Sequence, residues 1–135
     1  MYKNILVPIA PDHGTPSGPA LDIARRLAAD DARITALTVL DVIPEYASIQ
    51  LPKEIHDSRK AEAREILAGD LGGVKDIKPM VITGHSYRGI LDYAEETGVD
   101  CIVISSHRPE LADYLLGSTA ARVVRHANCC VHVIR

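Results

Sequence analysis

The chain has no Phe and no Trp, and five Tyr are its only aromatic residues apart from histidine. Its core must therefore be built from Val, Ile, Leu and Ala, small or branched side chains that suit sheets covered by Ala-rich helices. There is no Lys/Arg block, and the formal charge is -3, so nothing in the sequence offers the basic footprint that grips a phosphate backbone. Nucleic acid is excluded as an expected partner. No apolar run approaches the length that spans a bilayer. The opening MYKNILVPIAP is too short in its apolar part for a signal segment and has no small-residue cleavage pattern behind it. No membrane partner is expected, and the expected location is cytoplasmic. Cysteines are few and odd in number: Cys101, Cys129 and Cys130. They lie in apolar runs rather than at ligand spacings, which predicts buried free thiols and no metal site. A catalytic constellation is also missing, since His13, His85 and His126 have no evident Ser or Cys nucleophile beside them.

What is present is an ordinary globular balance. The 135 residues are 47% hydrophobic and 24% charged, enough for one core and too short for two domains, so residues 1–135 are read as one domain. Asn4 to Ile9 is a nearly continuous apolar run, the pattern of a strand covered on both faces. A turn-rich stretch follows, then a helix over 16–29 with Ala20, Leu21, Ala24, Leu27 and Ala28 on one stripe. Residues 33–42 are rich in β-branched side chains and predict a second strand. After an irregular 43–52, a charged helix is predicted over 54–67, with Ile55, Arg59, Ala63, Ile66 and Leu67 sharing a face.

Residues 77–83 predict a third strand, in which Pro79 argues for an edge position or a strand start. A short helix over 90–97 ends at Gly98, and 100–105 forms a second buried run. Helix four is predicted over 118–126 with Val123, Val124 and Ala127 inward and His126 at its C-terminal end, and 130–134 makes the last strand. Strands and helices alternate throughout, the pattern of an open parallel α/β sheet with helices on both faces. Ligands of such sheets sit at the carboxyl ends of the strands, where strand order reverses. With strands one and four as the central pair, the loops to inspect are 10–16 and 105–117. CysValHisValIle, 130–134, alternates and as a terminal strand would leave an open edge.

SHRPELADYLLGSTAARVVRHA, residues 106–127, resembles the universal stress protein family, its short F/G branch in particular. ILVPI near the start, LeuThrValLeuAsp of strand two, and Gly84 through Ile90 match weaker positions of that family. The resemblance covers essentially the whole length. It implies a doubly wound, five-stranded parallel open sheet of order 3-2-1-4-5, Rossmann-like and of the adenine nucleotide alpha hydrolase type. It further implies a homodimer in which the last strands of two subunits meet, tetramers being an open alternative, and adenine nucleotide binding, ATP or AMP with or without Mg²⁺, as in many members.

The family's nucleotide motif is a glycine, two residues, a second glycine, nine residues, then glycine and a hydroxyl residue. Its last part is present as Gly117 and Ser118. Ser105 stands at the first glycine, Arg108 at the second, the loop is one residue shorter, and Ala10 stands where an Asp is frequent. The candidate site is thus Pro8, Ala10, Val39, Ser105, His107, Arg108, Gly117, Ser118 and Thr119. Gly117, Ser118 and Thr119 precede an apolar-striped helix, where amides and hydroxyls favour phosphate; equally, Ser118 in that place would serve as a plain N-cap. Arg108 is suited to clamp phosphate oxygens, or else to pair with Glu110 or Asp113. Main-chain groups around Ala10 and Val39 are placed to read an adenine edge. Asp12 or Asp41 are the available carboxylates for Mg²⁺. Two readings stay open: a stress-response regulator that binds nucleotide and is at most a slow ATPase, and a nucleotide-free dimeric interaction protein with a decayed pocket.

Overall fold

The computed structural model describes residues 1–11, 17–43, 52–106 and 116–135. In chain order the elements are β1 (Tyr2–Pro8), α1 (Gly18–Leu27), β2 (Ala28–Leu40), α2 (Lys53–Asp70), β3 (Ile77–Thr83), α3 (Ser86–Glu96), β4 (Cys101–Ser105), α4 (Ser118–His126) and β5 (Cys130–Ile134). The five strands form one parallel sheet of order β3-β2-β1-β4-β5. The expected doubly wound sheet is present, and strand order reverses between β1 and β4.

Alternation of side chains sorts the buried strand residues onto two faces. Ile5, Val7, Ile34, Ala36, Leu40, Cys101 and Val103 pack with Ala20, Leu21 and Ala24 of α1 and with Leu67 of α2. Leu6, Leu37, Val39, Ile102 and Ile104 pack with Ile90 and Ala94 of α3 and with Ala120 and Val123 of α4. β1 is buried on both sides because both helical layers cover it, which is why its sequence reads as a run and not as an alternation. Gly89 lets α3 settle on β2: a Cβ there would lie 3.0 Å from Val39 Cγ1.

Several local expectations are corrected. β2 begins at Ala28, directly after α1, so Ala28 is extended rather than helical. α2 runs on to Asp70, yet of its predicted stripe only Leu67 is buried, while Ile55 and Ile66 are 44% and 37% exposed. In α4, Val124 is 44% exposed; one step of about 100° from the buried Val123 carries it off the sheet. Cys101 is buried, but Cys129 is half-buried and Cys130 exposed, because β5 is the last strand of the sheet.

The end of α3 is closed by the pair of bonds expected of a glycine-terminated helix. Gly98 (φ 71°) donates to the Glu95 carbonyl and Val99 to that of Ala94. The chain then turns into β4 through Asp100, whose carboxylate accepts the amides of Lys3 and Asn4 at 2.9 and 3.0 Å. Asn4 returns the contact with its side-chain amide on the Thr97 carbonyl at 2.7 Å.

Candidate functional site

Backbone parity decides what the strand ends can offer. Ile9 donates its amide to the Leu37 carbonyl, so in β2 the main-chain groups of Leu37, and two residues on those of Val39, face β1. Continued two residues beyond its last pair, Pro8 with Leu37, the register sets Val39 opposite Ala10, and the next residue along, Pro11, has no N–H to give the Val39 carbonyl. The Ile9 carbonyl is taken by Thr38 Oγ1 at 3.0 Å. The side chain of Val39 is core, packed toward α3, so the contribution of this residue to a ligand is its main chain. Pro11 thus shapes this strand end through its missing N–H.

On the α3/α4 face, α4 starts over the carboxyl end of β4. Its N-cap is Gly117, buried, with φ −59° and ψ 152° and no side-chain capping bond. Ser118 is the first helical residue, which corrects the N-cap reading of Ser118. The first helical bond runs from the Ala121 amide to the Gly117 carbonyl at 2.9 Å, so the amides of Ser118, Thr119 and Ala120 precede the ladder at the positive end of the helix. Ser118 is exposed and Thr119 half-buried. α3 begins alongside, and Ser86 Oγ lies 3.4 Å from Thr119 Oγ1. Ser86 is not among the residues predicted for the site, although it lies within the stretch Gly84 to Ile90 that carries part of the family resemblance.

Pro8 and Val39 alternate onto the face that carries Gly117, Ser118 and Thr119. Ser105, half-buried, alternates onto the opposite face with Cys101 and Val103. The structure therefore groups five of the predicted residues and separates Ser105 from them, while Ala10 is exposed at the strand end between. Ser106, also not singled out, is buried, and both its amide and its hydroxyl reach the Ile134 carbonyl, at 2.8 and 3.2 Å. This pins the start of the loop to the end of β5. His107 and Arg108, with Glu110, Asp113, Asp12 and His13, lie outside the described residues.

Beside Ala10 a groove of about 170 Å³ opens under α2, floored by Ile9, Pro11, Thr38 and Leu40 and rimmed by Arg59 and Glu62. Arg59 Nη1 donates to the Asp41 carbonyl at 2.9 Å, which fixes the groove's outer wall. Asp41 itself is exposed. Among the described residues no cluster of three or more His, Cys, Asp or Glu is arranged to hold a metal ion.

Titration shifts lie away from these strand ends. Burial, reinforced by the thiols of Cys130 and Cys129, pushes Cys101 up to about 11, and burial also raises Cys129. Tyr2 is raised to about 12, chiefly by its hydrogen bond to Cys130. The Asp76 carboxyl is lowered by the hydrogen bond from Arg25 Nε, 2.9 Å away. His126 stacks on Tyr87 at 6.4 Å between ring centres, and Arg122 lies 4.9 Å over the same ring. No described helix is long and apolar enough to cross a membrane.

Comparison with known proteins places the chain. Universal stress protein G of Escherichia coli O157:H7 is 35% identical over 146 residues, spanning all of both chains. Among solved structures, universal stress protein UspA from Lactobacillus plantarum is 30% identical with a TM-score of 0.72, covering 99% of this chain and 98% of that one. Two more distant proteins of the same fold were solved with nucleotide. One is a universal stress protein in complex with cAMP, at 24% identity and a TM-score of 0.60, covering 99% and 97% of the two chains. The other is an Arabidopsis thaliana family protein with AMP bound, at 19% and 0.61, covering 98% and 90%. The model of the universal stress protein family matches residues 1–135. With a full-length match, a relative above 30% identity and the sheet order in agreement, the chain belongs to the universal stress protein family.

Proposed function

We propose that this protein is a cytoplasmic stress-response regulator that binds an adenine nucleotide, ATP or AMP, at the carboxyl ends of β1 and β4. The observation that carries the reading is the start of α4: an N-cap glycine without a side-chain cap, followed by the amides and hydroxyls of Ser118 and Thr119, beside the strand-order reversal where such sheets take ligands. In this reading the phosphates lie over Gly117, Ser118 and Thr119. The base lies between the Ala10 and Val39 segments, where Pro11 leaves a main-chain carbonyl for it, and Arg108 closes over the charge. Two proteins of this fold hold cAMP and AMP, so the architecture admits such ligands. Mg²⁺, if bound, would be carried mainly by the phosphates and water. In this reading the protein is at most a slow ATPase.

The protein also pairs as a homodimer through β5, the strand with an open outer edge. Ala10 in place of a carboxylate favours a second reading, a nucleotide-free dimeric interaction protein. A lost carboxylate bond of about 1.5–3 kcal/mol would weaken binding by roughly ten- to a hundredfold. Calorimetric titration of wild type and Gly117→Val with ATP and AMP separates the two. The φ of Gly117 is open to any residue, so the valine leaves the backbone unstrained while crowding a buried seat. Micromolar binding by the wild type that the variant loses supports the nucleotide site. No binding by the wild type at millimolar nucleotide leaves the interaction-protein reading standing.

A further inference from the structure

The backbone of β5 determines how two copies can pair. Ser106 donates to the Ile134 carbonyl, so the main-chain groups of Ile134, and by alternation those of His132 and Cys130, face β4. Those of Val131 and Val133 face outward. In an antiparallel pair, residues opposite one another must both face the partner strand or both face away from it. A two-fold axis adds the condition that if residue i meets j, then j meets i. Of the registers that satisfy both, one overlaps all five residues of β5: Val131 opposite the partner's Val133, Val133 opposite Val131, Cys130 opposite Ile134, and His132 at the centre.

We propose that two copies of this chain join in this register, so that His132 meets its own copy across the two-fold axis and the dimer weakens when the histidines become charged. This rests on the dimer reading above. The two outward valines then form hydrogen-bonded pairs, each exchanging both N–H···O bonds. The histidines form a non-hydrogen-bonded pair, with Cα atoms about 4.5 Å apart and side chains at their closest. Like charges directly opposite on a sheet repel.

The surroundings offer little to cancel that repulsion. His132 lies in register with Val103 and shares its face with Cys130 and Ile134. Beyond Cys130 come Cys101 and Tyr2, which at about 11 and 12 stay neutral over the relevant range. The carboxylate at the foot of β4, Asp100, already accepts the Lys3 and Asn4 amides. On α1, Asp22 pairs with Arg25 at 3.3 Å and Arg26 is exposed. Among the described residues of these elements, the carboxylates named are thus already engaged by amides or a guanidinium.

The test is sedimentation equilibrium of the full chain at about pH 7.5 and about pH 5, on either side of the usual imidazole range near 6.5. The dimer Kd of the wild type should rise roughly tenfold or more at the lower pH. That of His132→Gln should change less than about twofold. A second readout reports the register without titration. In a Cys129→Ser, Cys130→Ser background, His132→Cys should cross-link to its copy under oxidised glutathione, whereas Val131→Cys should not, because non-hydrogen-bonded pairs bring identical side chains together. A wild-type dimer insensitive to pH, a Gln variant as sensitive as wild type, or failure of residue 132 to cross-link in a dimer that persists would overturn the register. A wild-type chain that stays monomeric at both pH values would overturn the dimer itself.

Discussion

The two edges of the sheet are built to opposite ends. In β3, Gly84 donates to the Leu40 carbonyl, so by alternation Ile77, Pro79, Val81 and Thr83 direct their main chains outward, and Pro79 has no N–H at the centre of that row. The proline therefore costs the ladder nothing and removes a donor from the open side. α2 adds cover by packing on β3. In β5 the outward positions are Val131 and Val133, both able to donate and accept, on a strand with no proline and no outward charge. One edge is closed by its own sequence and the other is left able to pair. The edges also differ in their ionisable neighbours. β3 is approached by the Arg25–Asp76 pair, while β5 stands beside Tyr2 and three thiols.

The strongest blow to this contrast is Val133→Glu. A charge beside an outward backbone group of β5 should raise the dimer Kd by about a hundredfold, or about 3 kcal/mol; a dimer unchanged in sedimentation velocity would mean the β5 edge is not the interface.

Next in size is the alkaline limb. Cys101 is raised in the folded state from 9.0 to about 11, so the unfolded chain loses this proton first and stability falls as pH rises through that window. Denaturant titrations should show a loss on the order of 2 kcal/mol between those values, and Cys101→Ala should flatten it. An alkaline limb of equal depth in the variant would assign the loss to other groups.

Opening the closed edge gives a smaller change. Pro79→Val should lower stability by about 0.5–1 kcal/mol through the freer unfolded chain and should introduce concentration-dependent association. A variant with the wild type's association behaviour would show that α2, and not the missing N–H, guards β3.

The smallest effect is expected at Asp76. Its lowered pKa contributes stability that is present above the unfolded value of 3.8 and lost as pH falls through the folded one. Because the pair is exposed, Asp76→Asn should lower stability only slightly at neutral pH, and the difference from wild type should vanish at the acid end, measured by urea titration from neutral to acid pH.

Strand and helix order was legible because period and punctuation agree: β3, α4 and β5 match to the residue, and of the two positions that Pro79 allowed, an edge or a strand start, the edge is the one observed. Misreadings came where burial is decided by neighbours. α2 has an apolar stripe, but Ile55 and Ile66 stay exposed because the helix touches the sheet mainly near Leu67 and Ala63. Val124 has the same composition as Val123 and the opposite environment. The site was half legible. Gly117, Ser118 and Thr119 stand out as a sequence motif, whereas the roles of Pro11, Ser86 and Ser106 follow from ladder parity and helix juxtaposition, which no linear pattern encodes. Ser105 was chosen by motif position and lies on the other face, since a strand residue's side is fixed by its register.

The Asp100 clamp bears on how the molecule comes to be assembled. It joins residues separated by 96 and 97 positions, and it does so at the foot of β1 and β4, the central pair. Until β4 has been made, β1 has β2 on one side and nothing on the other, and of the two helices that cover Leu6 only α3 has been synthesised. Contacts this distant along the chain carry the full loop-closure cost before any return, which slows folding relative to a helical protein of equal size. On the ribosome the first strand made is therefore among the last to be completed. The interval between the synthesis of residue 9 and residue 105 is the period in which its hydrophobic run must be kept from other partners.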